Sequence, residues 1–441
     1  MVNRKFLYLT LLVLVLMYSI LFPARGFAEE AQTDEEFESA SDIVEPNETS
    51  GRRHHKALSP SPAPSGDQSR SKGKNALLKI GQVNPNLELG ISLLWDYDYF
   101  HGADIKGAQK GNQWCGTSEL RQASIALKSK LNRDWQAKLE VIFNDEGDPA
   151  SEIDDAYIKF TGWNNASLTI GKDKEPFGLE ELTSSEDITP IERSMATHAF
   201  APGRQPGLGL SGDTKQFTWA IGVYKAIDRG DKGDTCALTG RLTFTPWQHK
   251  KNVLHLGIAG SSIDYSGEVY EIKERAEVHT AKKIVVSAKT LADKVNLLGL
   301  EAAWVIGPFS LQAEYMAASV KADISRDVTY AGYYLQGSYF LTGESRPFKK
   351  GTFERIKPAT QHGALEIMSR YSVLDAGDGD TENDPRNSAG VKAANVTLGM
   401  NYYLSEQVRL TANYIKTKLS GDVKGDKDSA DALSFRVQYS L

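Results

Sequence analysis

Asp431-Ala-Leu-Ser-Phe-Arg-Val-Gln-Tyr-Ser-Leu441 closes the chain, and its spacing decides the fold. Leu433, Phe435, Val437, Tyr439 and Leu441 fall on one face of an extended strand; Ser434, Arg436, Gln438 and Ser440 fall on the other. A soluble edge strand can alternate in this way. So does the last strand of a membrane β-barrel, which turns apolar side chains to lipid, turns polar ones to the lumen, and carries an aromatic near its end. The other end of the chain separates the two readings.

Arg4 and Lys5, the apolar run Phe6 to Phe22, and the small residues of Gly26-Phe27-Ala28 predict a secretory signal over 1–28. An uncleaved anchor is the alternative, because the 17-residue apolar-rich core approaches the length that spans a bilayer. Nowhere else do 18 apolar residues stand in a row, which argues against a helical membrane bundle. The chain is exported and polar on average, as expected where only alternate residues meet lipid.

Residues 29–76 read as a disordered, low-complexity tail. They run from Glu29, Glu30, Asp34, Glu35, Glu36 and Glu38 to Arg52-Arg-His-His-Lys56 and Ser59-Pro-Ser-Pro-Ala-Pro64, with too few large apolar residues to offset the entropy of ordering. The His54-His55 pair reads as solvated rather than metal-binding. From Leu77 to Leu441 the alternation recurs. It is seen in Leu87 to Tyr97, Trp135 to Phe143, Phe217 to Val223, Leu238 to Phe244, Phe309 to Tyr315, Tyr333 to Leu341, Val396 to Leu404 and Val408 to Tyr414. These 365 residues divide into 16 strands, one per about 23 residues.

Connection lengths set the topology. Short turns are expected after strands 2, 4, 6, 10 and 14. Longer polar loops are expected after the odd strands, near 101–117, 146–152, 176–206, 227–235, 265–296, 322–329, 375–393 and 419–430. Sorting by parity is the outer-membrane arrangement, with both chain ends in the periplasm. The expected fold is therefore all-β, a 16-stranded antiparallel transmembrane barrel over 77–441. A soluble all-β protein is the alternative. Cys115 and Cys236 fall at the starts of strands 2 and 8. Export permits a disulfide, but six strands separate the two, so unpaired thiols are the preferred reading.

Gly207-Leu-Gly-Leu-Ser-Gly212 matches a dinucleotide fingerprint in letters only, because a further alternating strand follows where that motif needs a helix. Asp154 and Asp155 are adjacent in a strand, which should send their side chains to opposite faces. No catalytic motif is present, so the chain does not read as an enzyme, and no cofactor, metal or nucleic-acid partner is expected.

Several separated runs resemble the phosphate-selective porins O and P of Gram-negative bacteria. They are Asp154-Asp-Ala-Tyr-Ile-Lys-Phe160, Gly171-Lys-Asp-Lys-Glu-Pro-Phe-Gly178 with its continuation through Glu192-Arg-Ser194 and Phe200-Ala-Pro-Gly-Arg204, and Gly240-Arg-Leu-Thr-Phe-Thr-Pro-Trp247. Further on come Leu297 to Ala303, Gly307 to Tyr315, Gly332 to Pro347 with its Thr342-Gly-Glu-Ser-Arg-Pro347, Arg370 to Asp375 and Leu398 to Leu404. The resemblance implies a homotrimeric porin of the bacterial outer membrane, embedded in its lipid, with inward-folded loops and a basic ladder for inorganic anions such as phosphate or polyphosphate. The family commonly ends in Phe, where this chain has Leu441.

Taken by themselves, the residues predict a nearly neutral wall. Its lumenal face would carry Lys128, Lys130, Lys138, Lys159, Arg241, Arg370, Arg409 and Arg436 against Glu88, Asp96, Glu140, Asp155, Glu301, Glu314 and Glu366. The formal charge is −6; without Arg4, Lys5 and Arg25 it is −9, and without the tail's −4 the barrel stands at −5. An anion preference must then come from a local focus. The strongest is the third long loop with Lys172, Lys174, Arg193 and Arg204, which the resemblance makes the constriction. The alternative is that these are solvated cations balanced by Glu175, Glu180, Glu181 and Glu192. The long connection after strand 12, with Arg346, Lys349, Lys350, Arg355 and Lys357, is a second focus. The candidate substrate-binding set is Lys172, Lys174, Arg193 and Arg204 with Arg241, Lys128 and Lys138 from the wall, and the Lys128/Lys130 pair is expected to matter less than the loop. A weakly selective general porin is the alternative function, and a barrel used for adhesion ranks last because the loops are modest.

Overall fold

The computed structural model describes residues 87–102, 115–143, 151–226, 235–322, 326–377, 390–421 and 428–441. The expected signal, the tail and residues 77–86 lie outside the described residues. Sixteen antiparallel strands close into one ring. In chain order they are β1 (Leu87–Gly102), β2 (Cys115–Lys130), β3 (Trp135–Phe143), β4 (Ser151–Trp163), β5 (Ala166–Lys174), β6 (Arg204–Asp213), β7 (Phe217–Lys225) and β8 (Cys236–His249). They continue as β9 (Asn252–Tyr270), β10 (Thr290–Ile306), β11 (Phe309–Ala322), β12 (Val328–Phe340), β13 (Ala364–Asp375), β14 (Val391–Tyr403), β15 (Val408–Gly421) and β16 (Ser429–Ser440).

Each strand pairs with its sequence neighbour, and β1 pairs with β16 from Ser92↔Ser440 to Gly102↔Ala430. The C-terminal stripe is therefore the closing seam, as its alternation predicted, and no edge is left unpaired in lipid. Alternation sorts the two faces throughout. In β7, Ile221 and Val223 are about half exposed, and in β16 Val437 is 54% exposed, whereas Arg436 is 3% and Ser434 1% exposed.

Parity of connections holds with one exception. At one end the links are 131–134, 164–165, 214–216, 250–251, 307–308 and 404–407, but 341–363 is long. All the links at the other end are longer, or lie partly outside the described residues. The glycine run 207–212 lies within β6, and a Cβ at Gly207 would stand 2.4 Å from the Val223 carbonyl oxygen, so close strand approach explains it. Cys236 is an exposed free thiol at the start of β8.

Among the described residues, three segments turn into the lumen. The third long loop, 175–203, carries two short helices, α1 (Leu179–Leu182) and α2 (Met195–Phe200). Its apolar side chains Phe177, Leu179, Met195 and Ala196 are fully buried against the inner wall. The fifth long loop, 271–289, holds a two-residue ladder, Lys273–Glu274 with Val285–Val286, and places Val278 and Ala281 against Phe100, Ile415, Ala430 and Ala432. From the opposite end, the ladder of Phe348–Lys349 with Thr352–Phe353 inserts Phe348 and Phe353 beside Leu179 of the third loop. These fillings lie along β9–β16 and β1. Open space remains along β2–β8.

Candidate permeation site

The chain turns inward at the end of β5 through Lys174-Glu-Pro-Phe-Gly178. Gly178 has φ +74, and a Cβ there would stand 3.0 Å from Glu314 Oε2, so this corner requires glycine. Glu314 on β11 accepts the backbone N–H of Leu179 and of Glu180, both at 2.7 Å, and the Tyr334 hydroxyl at 2.5 Å. One carboxylate thereby holds the start of α1.

Arginines of the wall hold the remainder. Arg370 donates to Glu180 Oε1 (3.2 Å), the Glu192 carbonyl (3.0 Å) and Glu277 Oε2 of the fifth loop (2.6 Å). Arg436 donates to Asp96 across the seam (2.6 Å), the Ile191 carbonyl (2.6 Å) and Glu192 Oε1 (2.7 Å). Arg409 donates to the Ile188 carbonyl at 2.7 Å. Arg121 on β2, absent from the sequence-derived set, completes the ring with Glu192 at 2.9 Å. Such planar, multiply bonded pairs suit arginine, and at this burial breaking one leaves an uncompensated charge. Burial works to raise the Glu192 carboxyl, but Arg121, a hydrogen bond with His198 and Arg436 together hold it well below the usual carboxylate range.

The candidates from sequence do not gather into one cationic ring. Lys174 and Arg193 both bridge Glu181, each at 3.2 Å, and Arg193 also donates to the carbonyls of Glu180 and Thr183. Burial would raise the Glu181 carboxyl, but Arg193 and Lys174 outweigh it and bring it down to about 2. Arg204 bridges Asp154 (2.9 Å) and Asp155 (2.7 Å). That pairing corrects the expectation that these acids diverge. A bulge at Glu140/Val141 breaks the alternation, so one guanidinium reaches both.

Lys138 bridges Glu140 and Asp155. Arg241 is buried against Glu301, with Nη2 donating to the Gly351 carbonyl at 2.8 Å. Lys172 pairs with Ala156 and Pro206 in register, on the outward face of Ile158, Ile170 and Leu208, and bonds Glu152 at 2.8 Å. It stands on the lipid side of the wall, not in the lumen. In the 341–363 connection, Arg346 lies 3.6 Å over the Phe353 ring and donates to Gln312, while Lys350 pairs with Asp213 at 2.8 Å.

Lysines line the open side. A cavity of about 670 Å³ lies between the third loop and β3–β8, lined by Gln136, Tyr157, Lys159, Thr218, Arg241 and Lys350. A second, of about 970 Å³, opens at the short-turn end and includes Lys128, Lys250, Lys251, Asp187 and Glu344. Lys128, Lys130 and Lys159 face the lumen with no carboxylate within 4.0 Å among the described residues. Their register forms two tiers, Lys128–Lys138–Tyr157 and Lys130–Gln136–Lys159–Thr169, about 7 Å apart along the strands. In the lower tier only neutral side chains, Gln136 and Thr169, flank Lys159. Glu88 stands opposite Lys128 in register without reaching it. Seeing this from sequence requires the register, because a lysine's partners are the residues opposite it and not those beside it.

The family model for phosphate-selective porins O and P matches residues 88–441. Porin O of Pseudomonas aeruginosa is 29% identical over 392 residues, covering 80% of this chain and 88% of that protein. Among solved structures, an anion-selective porin from Comamonas acidovorans aligns with TM-score 0.53 at 13% identity, covering 80% of this chain and 99% of that one. The trimer form of an in-vitro folded outer-membrane protein, OmpT of Vibrio cholerae, aligns with TM-score 0.50 at 12% identity over 80% of this chain and 99% of that chain. The two structural likenesses are likenesses of fold.

Proposed function

The chain belongs to the phosphate-selective porin O and P family, and from that membership we propose that it is a passive channel for small anions whose pore cations are Lys128, Lys130 and Lys159. It is a β-barrel porin of the bacterial outer membrane. One observation carries the choice of cations: on the open side of the lumen these three lysines have no carboxylate within 4.0 Å among the described residues, while the wall arginines and the third-loop cations are neutralised where they stand. A paired charge presents only a dipole to a passing ion. An unpaired one at about 7 Å attracts a monovalent anion by between about 0.6 and about 2.4 kcal/mol as the effective dielectric falls from water-like to about 20. Two tiers of such charges exchange ligand water for ammonium donors without any one site holding too tightly for release.

Phosphate is the leading substrate, because the description of the family specifies it. A weakly selective porin is the second reading, and the pairing of Arg241, Arg370 and Arg436 with acids favours it. Planar-bilayer reversal potentials in a salt gradient separate the two. The wild type should prefer anions, and Lys128→Gln/Lys130→Gln/Lys159→Gln should lower the anion-to-cation permeability ratio by roughly 3- to 50-fold and weaken phosphate block of chloride current. A cation-selective wild type, or a triple variant that matches it, sinks the anion reading. We also propose a homotrimer, tested by cross-linking in the membrane, and cleavage after Ala28, tested by N-terminal sequencing of the membrane-extracted protein.

A further inference from the structure

The outward face near the long-loop rim carries charges that permeation does not use. On β14 and β15, Lys392, Lys416 and Lys418 all lie on the lipid side, the face of Val396 and Leu398, which are 46% and 53% exposed. Register places Lys416 beside Val396, Lys418 beside Ala394, and Lys392 beside Ser420. Lys416 and Lys418 are thus about 7 Å apart along one strand, and Lys392 is diagonal to Lys418 on the next, about 7–8 Å away.

Tyrosines flank this patch. On the outward face, register places Tyr371 opposite Val396, which is opposite Lys416, and Tyr333 opposite Val373, so the two tyrosines flank the patch. The Tyr333 and Tyr371 rings are 6.3 Å apart, and both are more than two-fifths exposed on the outside. Exposed tyrosines at this height form the aromatic girdle that sits at the hydrocarbon boundary. Lys392 is the second residue of β14 and Lys418 the fourth from the end of β15, so the lysines stand at the long-loop ends of their strands, from which their stems reach the headgroup layer by snorkelling.

Local acids neutralise the patch only in part. Lys392 Nζ is 2.8 Å from Asp375. Lys416 Nζ is 3.9 Å from Asp431, whose carboxylate also accepts the Tyr414 hydroxyl at 2.6 Å and lies 3.9 Å from His101. Lys418 has no carboxylate within 4.0 Å among the described residues. Lys392 and Lys416 remain 50% and 61% exposed.

We propose that Lys392, Lys416 and Lys418 bind the phosphate groups of the phosphorylated glycolipid in the outer leaflet, so that β14–β15 is a lipid-anchoring face. Each ammonium gives a charge-assisted hydrogen bond to a phosphate oxygen. The source is the lipid and not dissolved phosphate, because the patch looks away from the lumen and rests on the hydrocarbon boundary, where a headgroup phosphate is held at the same height. The proposal rests on the outer-membrane location and is independent of which ion the channel carries.

The full-length barrel, in phosphatidylcholine vesicles containing bis-phosphorylated lipid A or the same lipid A dephosphorylated, tests it. Heat-modifiability on gels reads stability, and co-sedimented lipid A reads binding. Wild type should unfold at a higher temperature with the phosphorylated lipid, and K392Q/K416Q/K418Q should lose that gain and bind lipid A about tenfold more weakly. Replacement of the three by arginine should retain both. Equal stabilisation by dephosphorylated lipid A overturns the proposal, as does a glutamine variant that binds like wild type, or millimolar inorganic phosphate displacing the lipid. If the glutamine variant fails to assemble, the wild-type comparison of the two lipids decides alone.

Discussion

Along β9–β16 and β1 the lumenal arginines end on carboxylates and carbonyls of the infolded loops, whereas along β2–β4 three lumenal lysines end in open space. Counting charges per face would score these halves alike. Pairing separates them: the arginines act as struts and the lysines face open lumen. The guanidinium's fixed fork suits it to a buried, multiply bonded joint, and the flexible ammonium suits a site that must release its ligand. The basic residues of a pore wall therefore divide by their partners before they divide by their number.

The largest effect should come from breaking a strut. Arg436→Met leaves Asp96 and Glu192 buried without their shared cation, at about 3–5 kcal/mol. The protein should unfold at a clearly lower temperature, and single-channel conductance should rise as the third loop leaves its seat. If both stay at wild-type values, Arg436 is no strut.

Charge reversal on the open side comes next. Lys130→Glu/Lys159→Glu should carry the reversal potential to the cation side with little change in unfolding temperature. Arg193→Gln should do the converse, loosening α1 without changing the sign of selectivity. Identical selectivity shifts from the two variants would erase the distinction between the halves.

A smaller effect is expected with pH. Burial pushes the Glu175 carboxyl up to about 7, from an ordinary value of 4.5, and its bond from Thr239 does not offset this. The folded state then holds the proton more tightly than the unfolded state, so the seating of the loop weakens as pH rises from about 4.5 through about 7 and levels off above that. Glu181 runs the other way: its stabilisation is present above 4.5 and fades as pH falls toward about 2. Protease protection of 175–203 between pH 4.5 and 8 should decline in wild type and stay flat in Glu175→Gln. A flat wild-type profile removes Glu175 as the cause. The smallest effect is a null one. Lys172→Gln, on the lipid side, should leave the reversal potential unchanged, and any shift comparable to that of Lys159→Gln would return Lys172 to the pore.

Strand number, loop parity and the closing stripe were all legible in sequence, because a period of two and turn residues are local signals. The long connection after strand 12 was legible for the same reason. The lumen was less so. Lys174, Arg193 and Arg204 stood out as a cationic cluster around the constriction loop, but Glu181, Asp154 and Asp155 neutralise them through contacts that a bulge and an infolded corner create. Lys159 was only one of eight wall cations until register set it between Gln136 and Thr169. Arg121 gave no signal, since its partner Glu192 lies 71 residues away.

The Arg436–Asp96 pair joins the first strand to the last, 340 residues apart, and the same guanidinium holds Glu192 of the third loop. During assembly, Asp96 cannot meet that guanidinium until β16 has found β1. A barrel still open at the seam lacks one of the joints that seat its third loop, the others being made by Glu314, Arg370 and Arg409. Sealing the wall and fastening the loop that narrows the bore thus share one guanidinium, so the arrival of the C-terminal strand serves both.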